Sequence, residues 1–221
     1  MCGRFALETV QEIYTRFNVE NRLPYLSPRY NIAPGQEVPV IVRKSPNQVV
    51  LMKWGLIPHW AKDPKIGYKM INARAETISI KPSFKSSLKN RRCLIPANGF
   101  YDWYKSSIQK VPYYVTLKED SLFGLAGLYD IWKEKDGKEI YSFTIITVPA
   151  NELLMKIHNR MPVILKKEDE DIWLDKELND EKKLNDLLKP YDFSKMKDYQ
   201  VSDLVNKASV DNKELIKPLN I

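Results

Sequence analysis

Leu122-Phe123-Gly124-Leu125-Ala126-Gly127-Leu128 and Tyr141-Ser142-Phe143-Thr144-Ile145-Ile146-Thr147-Val148 decide the fold class. Both are short apolar runs bounded by polar segments, and the second is rich in β-branched residues, so both read as strands. Val38–Val42, Val49–Trp54, Cys93–Ile95 and Tyr113–Leu117 read the same way, and Tyr199–Val205 adds a strand near the end. Helical signals are fewer. Thr9-Val10-Gln11-Glu12 fits a capping box, with Val10, Ile13, Tyr14 and Phe17 on one helical face. Asn151–Ile157 predicts a short helix, and Glu168–Leu188 is mostly helical, with Ile172, Trp173, Leu184, Leu187 and Leu188 as its apolar residues. Pro28 to Gly35 reads as an irregular loop. Many short strands with few helices predict an α+β fold. The expected architecture is a single domain, residues 1–221, with a curved, partly closed, mainly antiparallel, barrel-like sheet flanked by short helices.

At 221 residues and 43% hydrophobic, the chain is long and apolar enough for a sizeable core. No apolar run reaches the roughly 18 residues of a membrane span. No signal-peptide pattern follows Met1, and Cys2 and Cys93 are too few for a disulfide framework or a four-cysteine zinc site, so the expected setting is the cytoplasm. The net charge is +7. Residues 1–165 carry +10 and all nine arginines, whereas residues 166–221 carry −3 and read as an acidic, scaffold-like part of the same domain. Arginine suits bidentate phosphate contact, but a basic surface is also simply well solvated. Charge alone leaves both readings open.

Cys2 has two readings. It is either a small buried residue near the terminus or, once Met1 is removed, a 1,2-aminothiol. In the second case an α-amine with a reference pKa of about 7.7–8.0 lies beside a thiol near about 8.5. An aldehyde can condense with the amine to an imine, and the thiol can close a five-membered thiazolidine. Cys93, within Cys93-Leu94-Ile95-Pro96, reads as core. His158, in Ile157-His158-Asn159-Arg160-Met161-Pro162, is either an acid/base near neutrality or a bonded residue at a helix end. His59, in a Pro/Trp-rich loop, reads as part of an aromatic platform. On an extended segment, Asn72, Arg74 and Glu76 would share one face, which must line a wet cleft or form a paired network. Trp54, Trp60 and Trp103 lie in the basic part, and aromatics interleaved with arginine suit single-stranded nucleic acid as well as a core.

Six segments in order resemble the SOS response-associated peptidase family, the abasic-site processing proteins. They are Met1-Cys2-Gly3-Arg4-Phe5, Arg29-Tyr30-Asn31-Ile32-Ala33-Pro34-Gly35, Trp54-Gly55-Leu56-Ile57-Pro58, Ile71-Asn72-Ala73-Arg74-Ala75-Glu76-Thr77, Arg92–Trp103 and Ile157–Pro162. The resemblance runs almost end to end. It implies a protein of DNA damage responses that crosslinks to abasic sites in single-stranded DNA, without a cofactor or metal and expected to act as a monomer. Its cysteine captures the ring-opened sugar aldehyde as a thiazolidine, and "peptidase" refers to proposed autoproteolytic loss of Met1. Lyase chemistry is a further possible activity.

By motif, the resemblance implies catalytic roles for Cys2, Asn72, Asp102 and His158, and DNA contacts for Arg4, Pro34, Trp60, Arg74 and Arg160. One departure stands out. The family usually has Glu where this chain has Asp102, a side chain shorter by about 1.5 Å. Glu76 is either a stand-in carboxylate or the structural partner of a nearby arginine. Two other function classes remain: an N-terminal-nucleophile cysteine amidohydrolase, similar only in Met1-Cys2-Gly3, and a non-covalent single-strand-binding module.

Overall fold

The apolar runs do fold as strands. A computed structural model describes residues 2–44, 46–105, 110–119 and 121–219; Met1, whose loss the resemblance implies, lies outside them. In chain order the strands are β1 (Arg4–Leu7), β2 (Arg29–Ile32), β3 (Glu37–Val42), β4 (Gln48–Trp54), β5 (Asn72–Arg74), β6 (Arg92–Ala97), β7 (Gly99–Lys105), β8 (Lys110–Leu117), β9 (Phe123–Lys133), β10 (Glu139–Pro149), β11 (Arg160–Pro162) and β12 (Met196–Gln200). The α-helices are α1 (Ile13–Arg16), α2 (Pro82–Asn90), α3 (Glu152–Met155), α4 (Lys167–Leu174) and α5 (Glu181–Leu187).

Among the described residues, β10, β4, β3, β6 and β9 pair in sequence, and β9 pairs back onto β10. The ring is therefore a closed barrel, and it is mixed because β10 and β4 run parallel. Closure leaves no edge in this part of the sheet. A second, antiparallel sheet has the order β12-β8-β7-β1-β2. The α+β, barrel-like expectation holds, with the barrel closed rather than partly open.

The second sheet is buried on both faces. Phe5, Leu7 and Phe100 join the main core, whereas Ala6, Tyr101 and Tyr114 join a smaller core with Val201, Val205 and Leu215. Phe5 meets Trp54 edge-on at 5.2 Å between centroids, and Trp54 stacks on Phe143 at 6.3 Å. These rings tie β1 to the barrel strands β4 and β10. Trp54 is 1% exposed, so it belongs to the core and not to a nucleic-acid platform.

Several local expectations change. The loop reading of Pro28 to Gly35 missed β2. Thr9 makes no side-chain cap; its hydroxyl instead exchanges hydrogen bonds with Asn98, and only a 3-10 turn and the four-residue α1 follow. Val10, Ile13, Tyr14 and Phe17 are nevertheless buried. Glu168–Leu188 splits into α4 and α5, and Ile172 is exposed. The last strand is Met196–Gln200, with a 3-10 turn at Asp203–Asn206. No helix among the described residues is long and apolar enough to cross a membrane.

The arginines explain the charge asymmetry. Arg16 pairs with Glu170, Arg29 with Asp211 and Arg43 with Asp171. Arg92, 4% exposed, donates to the carbonyls of Leu88, Trp173, Asp175 and Leu178. Those carbonyls lie at or beyond the C-terminal ends of α2 and α4, where a cation complements the helix dipole. Much of the arginine excess therefore binds the acidic tail. Arg92→Met should leave these carbonyls unpaired and cost about 3 kcal/mol, lowering Tm by about 6–12 °C. Calorimetry checks it; a shift within error would show that water replaces the guanidinium.

Candidate active site around Cys2

Cys2 precedes β1, and the packing of Phe5 on Trp54 fixes where it lies. Trp54 Nε1 donates to Ile71 O at 2.9 Å, which holds the chain just before β5. Asn72, the first residue of β5, then donates from Nδ2 to Cys2 O at 2.8 Å. The Asn72 Oδ1 atom is buried and accepts no hydrogen bond among the described residues. An unpaired buried acceptor costs free energy, so it marks a position where a donor is wanted.

Asp102 arrives from β7. β1 and β7 pair with Arg4 opposite Tyr101 and Phe5 opposite Phe100. Strand alternation therefore places Asp102 on the face of Phe100, toward the main core, and Tyr101 on the other. Asp102 is 3% exposed, and its Oδ1 accepts from Trp103 N–H at 2.9 Å. The Cys2 thiol is fully buried, and burial, then the negative charge of Asp102, push its pKa up to about 12. The group is a thiol at neutral pH, not a thiolate.

Beyond Asn72, the site continues along β10. β5 and β11 flank this strand, with Asn72 opposite Ile145, Arg74 opposite Thr147 and Arg160 opposite Pro149. Arg160 donates to Thr147 O at 2.6 Å and makes a two-pronged ion pair with Glu76. The guanidinium holds the Glu76 carboxyl below the usual carboxylate range. The strand expected to put Asn72, Arg74 and Glu76 on one face ends at Arg74; Glu76 lies in a 3-10 turn and reaches Arg160 from there. His158 Nδ1 accepts from Arg160 N–H at 3.0 Å, which assigns the proton of a neutral His158 ring to Nε2. Its imidazole can thus donate at Nε2.

The structure thus joins Cys2 to Asn72 and couples it electrically to Asp102, and links His158 and Arg160 to this group along β10. The expected DNA contacts are placed less uniformly. Arg4 points to the other face of β1, donating to Asn31 Oδ1 and Val205 O, both at 2.7 Å. Arg74 is exposed, Pro34 half-buried and Trp60 51% exposed. The Trp60 loop is clamped: Asp130 accepts from His59 N and faces His59 Nδ1 at 3.0 Å, while Trp132 Nε1 donates to Ala61 O. His59 is therefore an anchor of this loop. The anchors Asn31, Thr147 and Asp130 escaped the sequence reading. For Asp130 a signal existed, since a charged residue inside an apolar strand needs partners, here His59 and Arg91.

Glu76 occupies the guanidinium edge that an anion would use. Glu76→Gln should therefore raise the affinity for single-stranded DNA several-fold, by removing a competing carboxylate. Fluorescence anisotropy at fixed salt checks it, and weaker binding would show that Glu76 instead holds Arg160 in its working position.

Known proteins resemble this chain over nearly its whole length. Residues 1–208 match the family model described as SOS response associated peptidase (SRAP). The abasic site processing protein YoqW of Bacillus subtilis is 48% identical over 222 residues, covering 98% of this chain and 99% of that protein. The abasic site processing protein HMCES of Mus musculus is 31% identical over 273 residues, covering 100% and 77%. A crystal structure of a protein from Bacteroides thetaiotaomicron superposes with a TM-score of 0.90 at 30% identity, covering 98% of this chain and 99% of that one. The chain belongs to the SOS response associated peptidase family.

Proposed function

We propose that this chain processes abasic sites in single-stranded DNA by covalent capture on Cys2. The observation that carries the proposal is the grip on Cys2: Asn72 holds its carbonyl while the Asn72 oxygen stays unpaired beside the end of the chain. Loss of Met1 would free the α-amine. That amine adds to the aldehyde of the ring-opened sugar, and water leaves to give an imine. The thiol then adds to the imine carbon, and its proton ends on the nitrogen, closing a thiazolidine. Because the thiol is protonated, this step needs a proton acceptor, and Asp102 is the nearby carboxylate whose charge Cys2 feels. Asn72 Oδ1 receives a hydrogen bond from the amine. His158, with its proton at Nε2, donates to the sugar oxygen during ring opening. Arg74 and Arg160 hold phosphates and Pro34 and Trp60 pack on bases, while Arg4, held by Asn31 and Val205 on the other face of β1, supports the strand. The protein acts as a monomer in the cytoplasm, with the acidic tail as scaffold.

The test uses Met1-free protein, verified by intact mass, and a labelled oligonucleotide with one abasic site. A denaturation-resistant adduct is expected. The same oligonucleotide with a tetrahydrofuran analogue, which offers no aldehyde, should give none. Equal adducts with both, or none with the true abasic site, would overturn the proposal.

A further inference from the structure

We infer that Tyr68, together with Lys53, is a stacking position for a nucleotide that flanks the lesion. This rests on the proposed function and adds a contact outside the residues assigned to it so far. Tyr68 is 64% exposed, and among the described residues its hydroxyl makes no hydrogen bond. Lys53 Nζ stands over its ring at 5.7 Å from the centroid and makes no ion pair among the described residues. The ring edge lies on the Pro34–Gly35 turn: a Cβ built at Gly35, whose φ is +87°, would be 3.4 Å from Tyr68 Cε1. An aromatic face with an unpaired ammonium beside it suits a base and its phosphate.

The position is rigid, as a stacking platform needs to be. Gly55, at φ +124°, and Gly67 approach so closely that a Cβ on either would stand 2.6 Å from the other's carbonyl oxygen. Leu56 N donates to Met70 O at 3.1 Å, so the turn carrying Tyr68 is fastened to the Trp54–Pro58 segment. Its charge also fits. Lys62, Lys65 and Lys69 are exposed in the same segment and outnumber its one acid, Asp63, whose Oδ1 accepts from Lys65 N; Glu37, opposite Lys53 on β3, is the other nearby acid.

The location continues the site. Along β10, Lys53 lies opposite Ser142, Asn72 opposite Ile145, Arg74 opposite Thr147 and Arg160 opposite Pro149. From Ser142 to Pro149 an extended strand spans roughly 23 Å. Ser142 and Ile145 are an odd step apart, so strand alternation turns Lys53 to the other face of the sheet from Asn72, Arg74 and Arg160. What brings Tyr68 to the site is its contact with the Pro34–Gly35 turn and its segment, fastened through Met70 two residues before Asn72. A strand captured at Cys2 and packed on Pro34 passes over this turn on one side of the lesion.

The experiment measures the affinity of the full chain for tetrahydrofuran-containing single strands by anisotropy, with wild type, Tyr68→Ala, Tyr68→Phe and Lys53→Gln. Three oligonucleotides are used: one with several nucleotides on both sides, and two in which the lesion is the terminal nucleotide on one side or the other. On the full oligonucleotide Tyr68→Ala should lose about 10-fold and Tyr68→Phe stay within about 2-fold of wild type. Lys53→Gln should lower the salt slope by about 0.7. One of the two truncated strands should bind wild type and Tyr68→Ala equally. An unchanged affinity of Tyr68→Ala for the full strand, or equal losses on all three strands, would overturn the inference. Adduct formation by wild type on a true abasic site is recorded in parallel. Its absence would sink the underlying reading, whereas a normal adduct with unchanged Tyr68→Ala binding sinks this inference alone.

Discussion

Cys2→Ala should lower the yield of denaturation-resistant DNA adduct by more than about 100-fold, because the imine can no longer be closed by sulfur. The loss is specific to that step. The variant keeps an α-amine, so sodium borohydride added during incubation should still trap a reduced imine on the abasic strand. Non-covalent affinity for the tetrahydrofuran strand should be unchanged. With Met1 still attached, the thiol is buried and its pKa is pushed up to about 12, so it is no thiolate nucleophile before the α-amine is freed. Its advantage is position, since the imine forms two bonds from the sulfur-bearing carbon. An adduct of Cys2→Ala as stable as that of wild type would exclude thiazolidine chemistry. Loss of the borohydride-trapped species as well would show that the alanine disturbs the site itself.

Asp102→Asn should slow adduct formation by about 100-fold while leaving DNA affinity intact. The direction separates two roles. Burial and the charge of Asp102 together hold the Cys2 thiol protonated. If Asp102 acted only by suppressing the thiolate, removing its charge would make sulfur more nucleophilic and capture faster. If it accepts the thiol proton during ring closure, the amide has no site for that proton and capture slows. A faster Asp102→Asn enzyme in a single-turnover time course would reject the proton-acceptor role. Asp102→Glu keeps the charge but adds a methylene to a residue only 3% exposed, so it should stay within about 10-fold of wild type at some cost in stability.

The barrel strands were legible because they are apolar runs that must be buried. β9 and β10 extend the runs read from the sequence by a few residues each. Strands β1, β2, β5 and β7 were not. β1 and β7 lie between two cores, so both faces are apolar and alternation gives no signal: Phe5 and Phe100 face one core while Ala6 and Tyr101 face the other. β2 and β5 are short and polar, and pairing with β1 and β10 defines them. The Thr9 box failed because Asn98, 89 residues away, offered the hydroxyl a better partner.

The candidate site divides in the same way. Cys2, Asn72, Asp102 and His158 stood out as residue types in motifs, and the chemistry available to each follows from the side chain alone. Their connection does not. That Asn72 reaches Cys2 O, that Asp102 faces Cys2 while Tyr101 turns away, and that Arg160 N–H sets the His158 tautomer depend on strand register. The charge shows the division best. The sequence by itself determined the count and the split, +10 with every arginine before residue 166 and −3 after it. Only the tertiary structure decided the use of that split. Arg16, Arg29, Arg43 and Arg92 turn to the acidic tail, because a partly buried guanidinium must find carboxylates or carbonyls, while Arg74 is left exposed.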